Sequence, residues 1–199
     1  MNIKTGVTVK INKELLAGLE SSIAKLADRR VLVGVPKETA ARQGDPVNNA
    51  MLAYIHNVGD PAGNIPARPS FVPGVEAALP EIVDALRKAA EAAVKPNGSD
   101  QLDKRLASVG MIAVASIRQI IRSNIAPPLA LATIKARIAR RKSASWRAKR
   151  SAQVDANLAA GNAPGAGLFT ALIDTGAWIQ SITWVIRKKN SDKSIVVGK

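Results

Sequence analysis

The 199-residue sequence contains no cysteine, which excludes both a disulfide framework and a thiolate metal site. A single histidine, His56, leaves too few imidazoles for the usual zinc constellations. Aromatic residues make up 3% of the chain against 47% apolar residues, so its interior must be built from Ala, Val, Ile and Leu. No apolar run approaches the roughly 20 residues that a membrane-spanning helix requires. Met1 to Lys10 lacks the basic-then-apolar order of a signal peptide, and the expectation is a cytoplasm-like compartment with no membrane partner. Neither a Walker nor a dinucleotide fingerprint occurs, and Gly34 and Gly44 belong to no phosphate-binding loop, so no cofactor is expected.

What the chain has in excess is positive charge. Its 29 Lys and Arg stand against 15 Asp and Glu, a formal net charge of +14. A charge of that size attracts nucleic acid, acidic protein surfaces or anionic lipid before any specific contact forms.

Val7, Val9 and Ile11 alternate with Thr8 and Lys10, the period of a half-buried strand, and Asn12 then reads as a helix cap. Residues 13–28 follow as a helix with Leu15, Leu16, Leu19, Ile23 and Leu26 on one face. The β-branched run 31–35 predicts a second strand, stopped by Pro36. A helix over 47–58 ends at Gly59, and the Pro- and Gly-rich stretch 60–73 cannot hold regular structure. A long helix is expected over 73–94 with Val75, Leu79, Ile82, Val83 and Leu86 inward, Pro80 either kinking it or marking its true first turn. After a break at Pro96, Asn97 and Gly98, Asp100 caps a helix whose stripe is Leu102, Leu106, Val109, Ile117 and Ile120, ended by Pro127 and Pro128. Residues 182–187 and 194–197 read as strands joined by a polar turn.

The fold class expected from this order is α+β, with a small, mostly antiparallel sheet drawn from both chain ends and packed against long helices. Residues 1–140 and 171–199 make one core domain. Residues 141–170, basic and then rich in Ala, Gly, Asn and Pro, are expected to be an extended, weakly held arm or insertion.

Three stretches invite a chemical reading. Ala171-Leu172-Ile173-Asp174-Thr175-Gly176-Ala177 resembles the active-site segment of retroviral-type aspartic proteases, in which two chains each supply one Asp of a proton-sharing pair. That chemistry needs a long all-β context, yet the upstream sequence is helical and only one hairpin fits before Val196-Val197-Gly198, which imitates the supporting strand. The competing reading has Asp174 or Thr175 capping a short helix from Gly176 to Ser181. His56 is expected to be a surface or helix C-terminal histidine. The acid-free run 133–150 carries eight cations, Lys135, Arg137, Arg140, Arg141, Lys142, Arg147, Lys149 and Arg150, with Trp146 among them. It reads as a solvated helix face or as a surface for DNA phosphates or an acidic partner, with Trp146 as an apolar anchor.

Four segments in order resemble a known family. They are Ala53-Tyr54-Ile55-His56-Asn57-Val58-Gly59; Ile65-Pro66-Ala67-Arg68-Pro69-Ser70-Phe71; Pro127-Pro128-Leu129-Ala130 with Thr133-Ile134-Lys135; and Leu172-Ile173-Asp174-Thr175-Gly176 with Ser181-Ile182. Together, over residues 30 to 190, they resemble the tail-completion, or neck, proteins of long-tailed bacteriophages, including the virion-morphogenesis family of Mu-like phages. The sequence departs from that pattern at Asn57 and Val58, at Ser70, and in the length of 141–170. The resemblance implies a non-enzymatic virion protein, made in the bacterial host cytoplasm and located at the head-tail junction. It implies a homo-oligomeric ring, a hexamer if the family pattern holds, between a head connector or adaptor and a tail terminator or tail tube, with packaged DNA in the channel. Pro66, Arg68, Pro69 and Phe71 are expected to form a rigid positioning segment with Arg68 buried or paired to carbonyls or a carboxylate, and Asp174, Thr175 and Gly176 an architectural turn. The alternative from charge alone is a basic DNA-binding accessory protein.

Overall fold

The computed structural model describes residues 13–42, 46–95, 101–191 and 193–198. The expected strand at Val7, Val9 and Ile11, the caps at Asn12 and Asp100, the break at Pro96, Asn97 and Gly98, and Gly44 lie outside the described residues.

The described chain runs α1 (Lys13–Ala27), β1 (Arg29–Gly34), α2 (Lys37–Ala40), α3 (Asn49–Val58), α4 (Phe71–Ala77), α5 (Leu79–Ala93), α6 (Leu102–Arg122), α7 (Leu131–Ala139), α8 (Ala144–Ala159), α9 (Ala177–Ser181), β2 (Thr183–Lys188) and β3 (Ser194–Val197). This is an α+β fold. One antiparallel sheet has the order β1-β2-β3, with Val31 opposite Ile186 and Val33 opposite Trp184 in one ladder and Val185 opposite Val197 in the other. The central strand therefore comes from the C-terminal part of the sequence and pairs with a strand 150 or so positions earlier, so the sheet closes the domain on itself.

The 21-residue helix α6 is the spine. Leu102, Leu106, Val109, Ala113, Val114, Ile117 and Ile121 are buried along it, at the helical spacing of a wide apolar face. One part of that face meets β1, β2 and α5, joining Leu102, Leu106 and Val114 to Ala89, Ala93, Trp184 and Ile186. Another meets α3 and α9, joining Ile117 and Ile121 to Ala53, Trp178, Ile179 and Ile182. Ile117, Ile121, Ile182 and Ile186 are fully buried, each contributing about 1.5–3 kcal/mol. At Gly110 a methyl group would stand 2.4 Å from Cγ of Trp184, so the closest approach of α6 to the sheet depends on the absence of a side chain there.

Several sequence expectations are corrected. The helix expected over 73–94 is two helices that part at Ala78, with Pro80 in the first turn of α5, where its missing N–H costs nothing. Of the residues expected inward on α5, Ile82 is buried, but Leu79, Val83 and Leu86 are exposed. The buried row is Ile82, Ala89 and Ala93, because small alanines let α5 lie close on α6. Leu16, Leu19 and Ile23 of α1 are also exposed, while Leu26 packs on the core. The stretch expected to be an extended arm contains the 16-residue helix α8. Ser143 caps it by accepting from Trp146 N–H, and Val154 buries against Ile134 and Ile138 of α7. Alanine, the strongest helix former, outweighs the loop-like composition there.

Candidate functional site

The four family-like segments, separated by up to about a hundred positions in sequence, meet in space. Helix α3 ends at Gly59, whose N–H donates to Ile55 O and whose φ is +81°. A side chain at Gly59 would stand 2.8 Å from Ala67 N and 2.9 Å from Ile65 O, so only glycine lets the following loop fold back on the helix end. That loop is closed by Asp60 and Ile65, each donating its N–H to the other's carbonyl at 2.8 Å. Its return strand is fastened to α3 where Arg68 N–H donates to His56 O at 2.7 Å.

Arg68 is 6% exposed between the exposed prolines Pro66 and Pro69. Its Nε and Nη2 donate to Pro127 O at 3.0 and 2.7 Å, and Nη2 also donates to Pro128 O at 3.3 Å. Prolines offer carbonyls with no competing N–H, and the planar guanidinium spans both, which a lysine could not do. Burial lowers the Arg68 pKa from its ordinary value. Ser70 is buried beside it and Phe71 packs on the α3, α6 and α9 core, so the loop is anchored at both ends.

Arg137 performs the same operation from α7. Its Nη1 donates to Thr170 O at 3.0 Å and Ile173 O at 2.9 Å, and Nη2 donates to Ala171 O at 2.9 Å. Its Nε lies 4.0 Å from Oδ1 of Asp174, while Oδ2 of Asp174 accepts from Arg140 at 2.7 Å. Of the two candidates to cap α9, Asp174 instead serves two arginines, and the contact to the first N–H of α9 falls to Thr175. Thr175 Oγ1 accepts from Ala177 N–H at 3.3 Å, and Gly176, at φ +84°, is the residue from which α9 starts.

Between these elements lies a cavity of ≈730 Å³, lined among others by His56, Ile65, Arg68, Leu129, Thr133 and Arg137. His56 lies in the last turn of α3, the helix C-terminal alternative the sequence offered, and is half-buried, with its ring 5.2 Å from Trp178 in an edge-on contact. Its Nδ1 is buried without a hydrogen-bond partner. Burial, and then the charges of Arg68 and Arg137, hold its pKa below the ordinary histidine value.

The basic run divides. Arg137 and Arg140 belong to the site, whereas Lys135, Lys142 and Lys149 are exposed. Arg141 and Arg150 place their guanidinium carbons 5.6 and 5.4 Å from the Trp146 ring centre, on which both act as cation–π partners. Trp146 is half-buried on the cluster of Ile134, Ile138 and Val154, so its apolar surface is used inside the chain. Arg147 donates to Arg141 O and Lys142 O and ties the α7–α8 turn; Arg150 donates to Gln153.

Sequence reasoning passed over two residues that complete the frame. Arg118 donates from Nη2 to Ile182 O at 2.8 Å and Gln180 O at 3.3 Å, joining α6 to α9 and to the residue that links α9 to β2. Asn124, at φ 62°, accepts from Ala171 N–H at 2.8 Å through Oδ1. The only signal in sequence for Arg118 is a cation set directly beside the buried Ile117 in an apolar helix. No protein-family model, curated protein or solved structure matches this chain.

Proposed function

We propose that this chain is a structural neck protein of a long-tailed phage, a tail-completion subunit that assembles as a ring between the head connector and the tail, with no catalytic role. The observation that carries this reading is the convergence just described. The segments that give the sequence its resemblance to that family meet as one module, held by Arg68 on Pro127 and Pro128 and by Arg137 on residues 170, 171 and 173. Motifs that matched by accident have no reason to interlock. The module supports an architectural role: its arginines are spent on carbonyls, and Asp174 on arginines.

Exposed apolar surface supports assembly. Leu16, Leu19 and Ile23 of α1 and Leu79, Val83 and Leu86 of α5 lie open on two helices that touch. Soluble monomers rarely keep such surface uncovered. The exposed Lys135, Lys142 and Lys149 and the +14 charge favour the second reading, a basic DNA-binding accessory protein.

Native mass spectrometry of the purified chain, paired with DNA affinity measured against salt, separates the two. A discrete ring-sized species, hexameric if the family pattern holds, with weak DNA affinity is expected. A persistent monomer whose DNA affinity falls steeply with salt would sink the neck reading in favour of the second.

A further inference from the structure

The cavity between the loop 60–70, Pro128 to Ala130 and α7 holds more positive charge than the chain neutralises. Three of its lining residues are Arg68, Arg137 and His56, and none of its lining residues is Asp or Glu. Arg68 forms no ion pair among the described residues, and the two carbonyls that accept from its Nε and Nη2 do not cancel its charge. Arg137 has only Asp174, at 4.0 Å, and that carboxylate is held closer by Arg140. The other acid in the neighbouring loops, Asp60, does not line the cavity, and its Oδ2 sits over Gly63. A buried cation without a counter-ion is costly, and an open cavity beside it is where a counter-ion can come from.

We propose that this cavity receives a carboxylate side chain carried on an acidic segment of a partner protein. The rest of the lining decides between a protein carboxylate and a nucleic-acid phosphate. Ile65, Pro66, Leu129 and Ala130 present apolar surface at the same place, suited to the aliphatic stem and apolar neighbours of a Glu or Asp. A phosphate in a polynucleotide brings flanking sugars and charges that such walls leave unsolvated. With 29 cations against 15 acids in a further copy of this chain, charge complementarity favours a different, acidic protein as the partner. The inference stands on the cavity and does not depend on the neck reading.

His56 provides the test, because as the sole histidine it gives one resolvable imidazole signal in proton NMR of the intact chain. The probes are the blocked peptides acetyl-Leu-Glu-Leu-amide and acetyl-Leu-Gln-Leu-amide, inorganic phosphate, and a short DNA duplex. The Glu peptide is expected to move the His56 signal, to raise its pKa by offsetting Arg68 and Arg137, and to bind about tenfold more tightly than the Gln peptide. Arg68 and Arg137 also hold the fold together, so the confirming variant is Leu129→Glu, which puts a carboxylate at the cavity without touching either arginine. It is expected to raise the His56 pKa by itself and to abolish the peptide's effect. Equal action of the Glu and Gln peptides, or a His56 response to phosphate or DNA as large as that to the Glu peptide, would overturn the proposal.

Discussion

Adding one methyl group at Gly110 should destabilise the protein, even though alanine is the better helix former. In an exposed helix, Gly→Ala gains up to about 1 kcal/mol. At Gly110 the new Cβ would stand 2.4 Å from Cγ of Trp184 and 2.7 Å from its Cβ and Cδ2. Trp184 is 8% exposed on the central strand of the sheet, where it pairs with Val33. To restore contact distance, the ring and its strand must retreat by about 1 Å from a spine helix they are packed against. Such overpacking costs about 3 kcal/mol at the upper end of the usual range, leaving a net loss of about 2 kcal/mol. For a domain of this length that is a fall in melting temperature of about 4–8 °C, measurable by calorimetry or circular dichroism. Gly18 on α1 supplies the control, since nothing lies within 4 Å of a methyl group there. Gly18→Ala should stabilise by about 0.4–1 kcal/mol. In a Trp184→Ala background Gly110→Ala should cost less, because Cγ and Cδ2 are gone and only Cβ, at 2.7 Å, remains. If Gly110→Ala raised the melting temperature alongside Gly18→Ala, the close packing of α6 on the sheet would be refuted.

Arg68→Ala should cost about 2–4 kcal/mol in urea denaturation, because it strips charged hydrogen bonds from two proline carbonyls, and Arg68→Lys should recover little of it; a parent-like midpoint for both would refute the staple. Asp174→Asn should change stability by no more than about 1 kcal/mol, since its short ion pair is with the 65%-exposed Arg140, and a proteolytic activity present in the parent and lost in the folded variant would revive the protease reading. His56 has a folded-state pKa below its unfolded value of about 6.5, so below that pH the unfolded chain binds the extra proton first. The contribution of neutral His56 is therefore fully present above about pH 7 and declines as pH falls toward the depressed folded value. The parent should lose stability relative to His56→Gln as pH falls from about 7 through the unfolded value of about 6.5, and parallel pH profiles for the two would show that His56 is not held neutral.

Much of the frame was legible in the sequence because it rests on local patterns. The short β-branched and aromatic run at 182–187, the stripe from Leu102 to Ile117 and the glycine stop at Gly59 each specify an element whatever surrounds it. The orientation of α5 was not legible. Leu79, Val83 and Leu86 are the larger side chains, yet the buried side is Ile82, Ala89 and Ala93, because how near two helices lie decides which residue sizes fit. Gly and Pro at 161–167 give 141–170 the composition of an arm, although residues 144–159, which form α8, contain neither. At the candidate site, Arg68 between prolines advertised a fixed guanidinium seeking oxygen acceptors. The partners of Arg137 and Arg118, the cavity and the packing of His56 on Trp178 depend on chain crossings that no local pattern encodes.

The most direct test of the neck assignment is electron microscopy of particles made by a phage carrying this gene and by the same phage with it deleted. The account predicts filled, tailless heads and complete, separate tails in the deletion, and joined virions when the protein is restored. Joined, tailed particles in its absence would contradict it.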